Sequence, residues 1–267
     1  MRLLSLAHLT VIDAHPLELI DAAAAAGFDA VGLRIVPPLP TDSIVPVVGD
    51  VPLQRRIKAR LAETGLQMLD VEAFWLMPDT DVAAFAPALD LAVEFGARYV
   101  LCVGNDPDAG RMATSLAALC EACHARGLRA MLEFIPYSQV DSLAAAYRLL
   151  SAVSPANAGI LVDALHLSRS GGHPSDMERY DPALFSYMHI CDAPFTPPST
   201  DGLRAEARGA RMYPGEGGLW LRDFAAAFPS QTPAAVEAPS ALHADLPPEG
   251  RARLANDACG KLFLSSS

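Results

Sequence analysis

Apolar and polar positions follow one cycle along this chain: a short apolar run stops at a charged residue, and a longer helical stretch then stops at glycine. The clearest run covers residues 158–166, Ala-Gly-Ile-Leu-Val-Asp-Ala-Leu-His, which stops at Asp163 and adds His166 three positions on. An apolar run of about five residues between Gly159 and a polar cluster suits a strand covered on both faces, as in a parallel sheet. Three further runs share this design. Residues 128–136 carry Glu133, residues 187–193 carry His189 and Asp192, and residues 234–240 carry Glu237.

Upstream, strands are expected at 2–7, 29–35, 66–75 and 98–103, with His8, Arg34 and Glu72 at or near the ends of the first three. Helical periodicity fills the intervals 16–26, 52–64, 81–95, 108–126 and 142–153, and Gly27, Gly65, Gly96 and Gly127 follow four of them as stop signals. Residues 168–181 contain Gly171, Gly172 and Pro174 and predict a short or broken helix. The longest expected loop is 192–218, which holds Arg204, Arg208 and Arg211. Loops of that length in compact domains usually have a functional task. Helices at 219–228 and 248–264 complete eight strand–helix repeats, and residues 265–267 read as a frayed end.

Glu133 and Asp163 are 30 positions apart and Asp163 and His189 are 26 apart, each close to one βαβ unit, while 48 positions separate His189 from Glu237 across the long loop. Eight such units predict an α/β fold, a single (β/α)8 TIM barrel over residues 1–267. In that fold strand ends meet at the carboxyl face, so these side chains would converge on one point.

Composition narrows the picture further. A net charge of −11 argues against a nucleic-acid partner, which would be met by a basic face. No apolar run reaches the ~20 residues of a membrane helix. Five cysteines, an odd number, and a start without a signal-peptide pattern predict free thiols and a cytoplasmic location. Cys120-Glu-Ala-Cys123-His124 matches a haem-attachment pattern, yet its place inside a predicted helix assigns it to core and surface packing.

The order Glu133, Asp163 with His166, His189 with Asp192, Arg211 ahead of Pro214-Gly215-Glu216-Gly217, then Glu237, resembles the xylose isomerase-like TIM-barrel superfamily. Two glutamates, an aspartate and a single imidazole are a donor set for a hard or borderline divalent ion, manganese first, with magnesium, cobalt or zinc as alternatives. Converging carboxylates would otherwise repel and rise in pKa. The resemblance implies that Glu133, Asp163, His189 and Glu237 bind the metal and that Glu133 and Glu237 also act as an acid and base pair. It further implies substrate contacts from His166, Asp192 and Arg211. His8, Arg34 and Glu72 face the same mouth if the barrel closes, and are substrate-contact candidates.

The expected activity is a metal-dependent isomerase or epimerase that works through an enediolate on a sugar, sugar phosphate or sugar acid. A dehydratase resembling inosose or dehydroshikimate dehydratase is the main rival. A catalytically silent sugar-binding barrel is the reading from outside the enzyme class. The resemblance allows a homo-oligomer and leaves a small carbohydrate-like molecule as the expected partner.

Overall fold

The computed structural model describes residues 2–39 and 41–264, so the expected frayed end at 265–267 lies outside the described residues. Eight parallel strands close into a barrel in the order β1 (Leu4–Leu6), β2 (Ala30–Arg34), β3 (Gln67–Leu76), β4 (Tyr99–Gly104), β5 (Arg129–Glu133), β6 (Ala158–Asp163), β7 (Met188–Ile190) and β8 (Ala234–Val236). The last strand pairs with the first through Leu4 opposite Ala234 and Leu6 opposite Val236, which closes the sheet.

The helices begin where the sequence supplies acceptors for free backbone N–H groups. In α1 (Pro16–Ala26) the His15 ring accepts from the Leu17 N–H while Glu18 accepts from the His15 N–H, and Gly27 at φ 84° ends the helix. Asp50, Asp108 and Ser142 cap α2 (Val51–Thr64), α4 (Ala109–His124) and α5 (Leu143–Val153) in the same way. The stretch expected as one helix over 81–95 is instead a 3-10 turn, Val82–Phe85, followed by α3 (Ala86–Glu94). Pro87 stands in the first turn of α3, where its missing N–H costs nothing, and it restarts the helix there.

Strand side chains alternate between two cores. Outward-facing Leu6, Val31, Leu33 and Ile160 pack on Leu19, Ile57 and Leu116 of the helices. Burial of each such leucine or isoleucine is worth roughly 1.5–3 kcal/mol. Inward-facing Ala7, Ala30, Leu101, Val103, Met131 and Leu161 fill the barrel interior. All five cysteines are buried and unpaired.

Two differences from the sequence reading matter for the site. Within the expected loop 192–218 lies a short helix, α7 (Leu203–Gly209), bounded by antiparallel bridges Asp192–Met212 and Ala210–Ser240. Glu72 was expected at a strand tip, but β3 continues to Leu76, so Glu72 sits inside the strand and is fully buried. Three further helices, α6 (Ala164–Arg169), α8 (Leu221–Ala226) and α9 (Pro248–Leu264), complete the outer ring. Among the described residues no helix is long and apolar enough to cross a membrane.

Candidate metal centre

Four strands in succession deliver the site. Glu133 ends β5, Asp163 ends β6, His189 is central in β7 and Glu237 follows β8 directly. Register makes them neighbours: Asp163 stands opposite His189, and His189 opposite Ala235, two residues before Glu237. The His189 Nδ1 lies 3.5 Å from Glu237 Oε2, 3.7 Å from Glu133 Oε1 and 4.0 Å from Asp163 Oδ2. One ligand-type atom from each of the four residues falls within 4.8 Å of the other three. All four side chains are buried.

Arg211 binds this group from the side of α7. Its Nη1 donates to Asp163 Oδ2 at 2.6 Å and to the Glu237 carbonyl at 2.9 Å, and its Nη2 reaches Glu237 Oε2 at 2.8 Å. Its Nε–H donates to the Ala207 carbonyl. This buried guanidinium therefore leaves Asp163 Oδ1 to cap α6, where it accepts from the His166 N–H at 3.0 Å. Glu133 Oε1 and both His189 ring nitrogens are buried without a hydrogen-bond partner. Buried polar atoms are normally paired. An oxygen and a ring nitrogen orphaned 3.7 Å apart are what a cation between them would satisfy.

The electrostatics agree. Burial, then the charge of Glu237, pushes the Glu133 carboxyl well above the usual range. Burial would also raise Glu237, but Arg211 and His189 beside it overcome that and hold it far below. For His189, burial disfavours the imidazolium, yet Glu237 and Glu133 outweigh it and lift the ring to about 10.

A second acidic pair lies deeper in the barrel and includes a residue the sequence reading passed over. Asp70 and Glu72 share one face of β3 and, with His189, again bring ligand-type atoms within 4.8 Å. The Tyr187 hydroxyl donates to Asp70 Oδ2 at 3.0 Å, and Arg34 Nε donates to Glu72 Oε2 at 3.3 Å. Asp70 Oδ1 and Glu72 Oε1 have no partner and point at Gly32, where a Cβ would meet them at 2.5 and 2.7 Å. Burial and the Glu72 charge lift Asp70 to about 8, and burial likewise raises Glu72. An aspartate two positions from a glutamate inside an apolar run was the available signal, because alternate strand positions share a face. Five buried carboxylates against the two cations Arg34 and Arg211 leave three negative charges in excess among these residues. A divalent ion with one retained proton balances that count.

The other expected site residues divide. His166, Arg34 and Arg211 line the cavity above Glu133 and Glu237, together with Tyr137, Arg204 and Arg208. The His166 ring packs edge-on against Tyr137, and burial lowers its pKa to about 4, so it is neutral near pH 7. His8 and Asp192 do not line this cavity. His8 Nε2 pairs with the Ala14 carbonyl, and its Nδ1 lies 3.4 Å from the Arg34 N–H, bracing the end of β2. Asp192 accepts from the N–H groups of Ala193, Gly215 and Leu219, which ties down the turn after α7. The sequence reading also missed Tyr137, Trp75 and Arg204 on the cavity wall, since their helpers lie on other loops.

A closed parallel barrel with three carboxylates and an imidazole gathered at its carboxyl mouth defines a (β/α)8 protein with a metal-type centre. The family model described as xylose isomerase-like TIM barrel matches residues 20–253, and the chain belongs to that family. It is 26% identical over 222 residues, 78% of this chain and 33% of the relative, to a 3-dehydroshikimate dehydratase of Pseudomonas aeruginosa. It is 31% identical over 108 residues, 40% of this chain and 36% of the relative, to an inosose isomerase of Halalkalibacterium halodurans. This chain spans about a third of the length of these two curated relatives. Among solved structures, the IolI protein with a bound zinc atom superposes with a TM-score of 0.80 at 18% identity, covering 100% of this chain and 99% of the other.

Proposed function

We propose that this barrel is a divalent-metal-dependent enzyme that removes a proton next to the carbonyl of a small hydroxy-ketone. The observation that supports this most is the four-residue cluster with a glutamate on either side, Glu133 on β5 and Glu237 after β8. Glu133, Asp163, His189 and Glu237 would hold the ion. When bound it would polarise the substrate carbonyl as a Lewis acid and so acidify the neighbouring C–H. A zinc-bound relative structure and an oxygen-rich donor set make zinc and manganese the leading choices.

The chain's own groups do the rest. Arg211 fixes the carboxylates of Asp163 and Glu237 in register, so Glu237 meets the substrate in one orientation. Glu133 and Glu237 both line the cavity and act as the acid and base pair. His166 and Arg34 present polar atoms to the substrate oxygens, while Tyr137 and Trp75 shield the cavity from water. Proton return to the adjacent carbon gives an isomer, and return to the opposite face gives an epimer.

A second reading has its own support. If the enediolate expels a β-hydroxyl group, the same site is a dehydratase, and the dehydratase relative is the one that aligns with 78% of this chain. Solvent deuterium exchange at the carbon beside the carbonyl, read by NMR with protein of known metal content, tests both readings. Exchange without mass loss supports isomerisation or epimerisation, and loss of water supports dehydration. Glu133→Gln and Glu237→Gln should each lower exchange by about 10²–10⁴-fold. Protein that takes up no divalent metal, or metal-loaded protein that shows no exchange on any hydroxy-ketone, would sink the proposal.

A further inference from the structure

We propose that the substrate carries a carboxylate or phosphate, has few hydroxyls beyond the reacting pair, and is gripped by Arg204. This inference rests on the reading of the cavity as the reaction site.

Four arginines line the cavity, and three are already committed. Arg34 pairs with Glu72 and Glu237, and Arg211 with Asp163 and Glu237. Arg208 holds Asp42 of the β2–α2 loop through two bonds of 2.8 and 3.3 Å. Arg204 precedes Arg208 by one helical turn on α7, so both guanidinium groups project from the same side. It is exposed and lines the cavity, and among the described residues it has neither an ion pair nor a hydrogen bond. Like charges one turn apart repel, and Asp42 relieves only one of them. A planar guanidinium left open at a pocket mouth suits an oxyanion that can take two parallel N–H bonds.

Much of the remaining wall is apolar. Trp75, Leu101, Val103, Ile135 and Ala73 are apolar, and among the described lining residues there is no serine, threonine, asparagine or glutamine. A polyol with hydroxyls along its whole length would bury several of them against carbon, losing hydrogen bonds to water without replacement. A ring or short chain with few hydroxyls and a terminal anion meets no such penalty. Glu133 and Glu237, with Arg34 and Arg211, serve the reacting end, and Arg204 serves the far end.

The test measures binding to metal-loaded protein by quenching of tryptophan fluorescence and by calorimetry, using four probes: a hydroxycyclohexanone, its carboxylate derivative, a hexulose and the terminal phosphate ester of that hexulose. The expected result is that the ring carboxylate binds most tightly, about 10–100-fold above its neutral parent, and that Arg204→Gln removes the difference. Arg204→Lys should keep part of it, and added salt should weaken it. Because Arg204 is exposed, the variants should melt with the wild type. Tighter binding of the hexulose phosphate than of the ring carboxylate would overturn the claim that the substrate has few hydroxyls. Equal binding of neutral and anionic probes, tightest binding of the neutral hexulose, or no binding of any probe would overturn the inference. Deuterium exchange in the same samples separates the two claims. Arg204-dependent binding without exchange sinks only the proton-transfer reading, and exchange on the neutral hexulose unchanged by Arg204→Gln sinks only the substrate inference.

Discussion

At the scale of single residues, Gly32 shows how tightly the barrel interior is used. A methyl group there would stand 2.5 Å from Asp70 Oδ1 and 2.7 Å from Glu72 Oε1, two buried oxygens that have no other partner. Gly32→Ala should therefore cost about 1–3 kcal/mol, read as a lower denaturation midpoint, because neither strand-borne carboxylate has room to retreat. Glu133, Asp163, His189 and Glu237 were legible because each sits in or directly after an apolar strand, where a charged side chain has few alternatives to a shared task. Asp70 was hidden by its surroundings. Inside a strand reading as continuous apolar sequence, one aspartate looks like an irregularity until the closed sheet brings Glu72, Tyr187 and Gly32 around it. His8 and Asp192 show the other side of this, since a polar residue near a strand end can spend its hydrogen bonds on backbone.

At the scale of elements, the strand and helix pattern carried the barrel, because hydrophobic runs, helix caps and stop glycines are local signals. The segment between β7 and β8 was not legible in the same way. Its helix α7 is only seven residues long and depends on bridges to Asp192 and Ser240 that no local pattern announces. Asp192 is the anchor of the turn that follows. Its carboxylate satisfies three backbone N–H groups, and a Cβ at Gly217 would approach its Oδ1 to 2.5 Å. Asp192→Ala should cost about 1–3 kcal/mol for the donors left unpaired. Limited proteolysis should then cut residues 213–219 faster than in the wild type, while far-ultraviolet circular dichroism stays the same.

At the scale of the whole molecule, the buried charges link stability to pH and to metal. Asp70 rises from 3.8 to about 8 in the folded state, so the fold binds its proton more tightly than the unfolded chain does, and stability falls as pH rises through that interval. His189 rises from 6.5 to about 10; its contribution is fully present below 6.5 and is lost as pH rises through 10. Glu237 is held far below its ordinary value of 4.5, so its contribution is full above 4.5 and is lost progressively as pH falls from there. Metal-free protein should therefore melt at progressively lower temperature between about pH 5 and pH 9. Metal binding displaces the His189 proton, so the stabilisation it adds should grow over the same range. At an ion concentration of about 100 times Kd the gain is about 2.7 kcal/mol, or roughly 5–10 °C in a chain of this size. Calorimetric melts with and without chelator check both slopes, and a metal increment that shrinks as pH rises would refute the linkage.

Every sulfhydryl in this barrel is walled off from solvent: Cys102, Cys120, Cys123, Cys191 and Cys259 are all inside, and burial keeps each protonated well past neutrality. The folded chain thus offers alkylating reagents and oxidants almost nothing to attack, even though it carries an odd count of thiols. Its chemical lifetime in air is then governed by how often the barrel opens, and the pace of thiol modification becomes a clock for that opening.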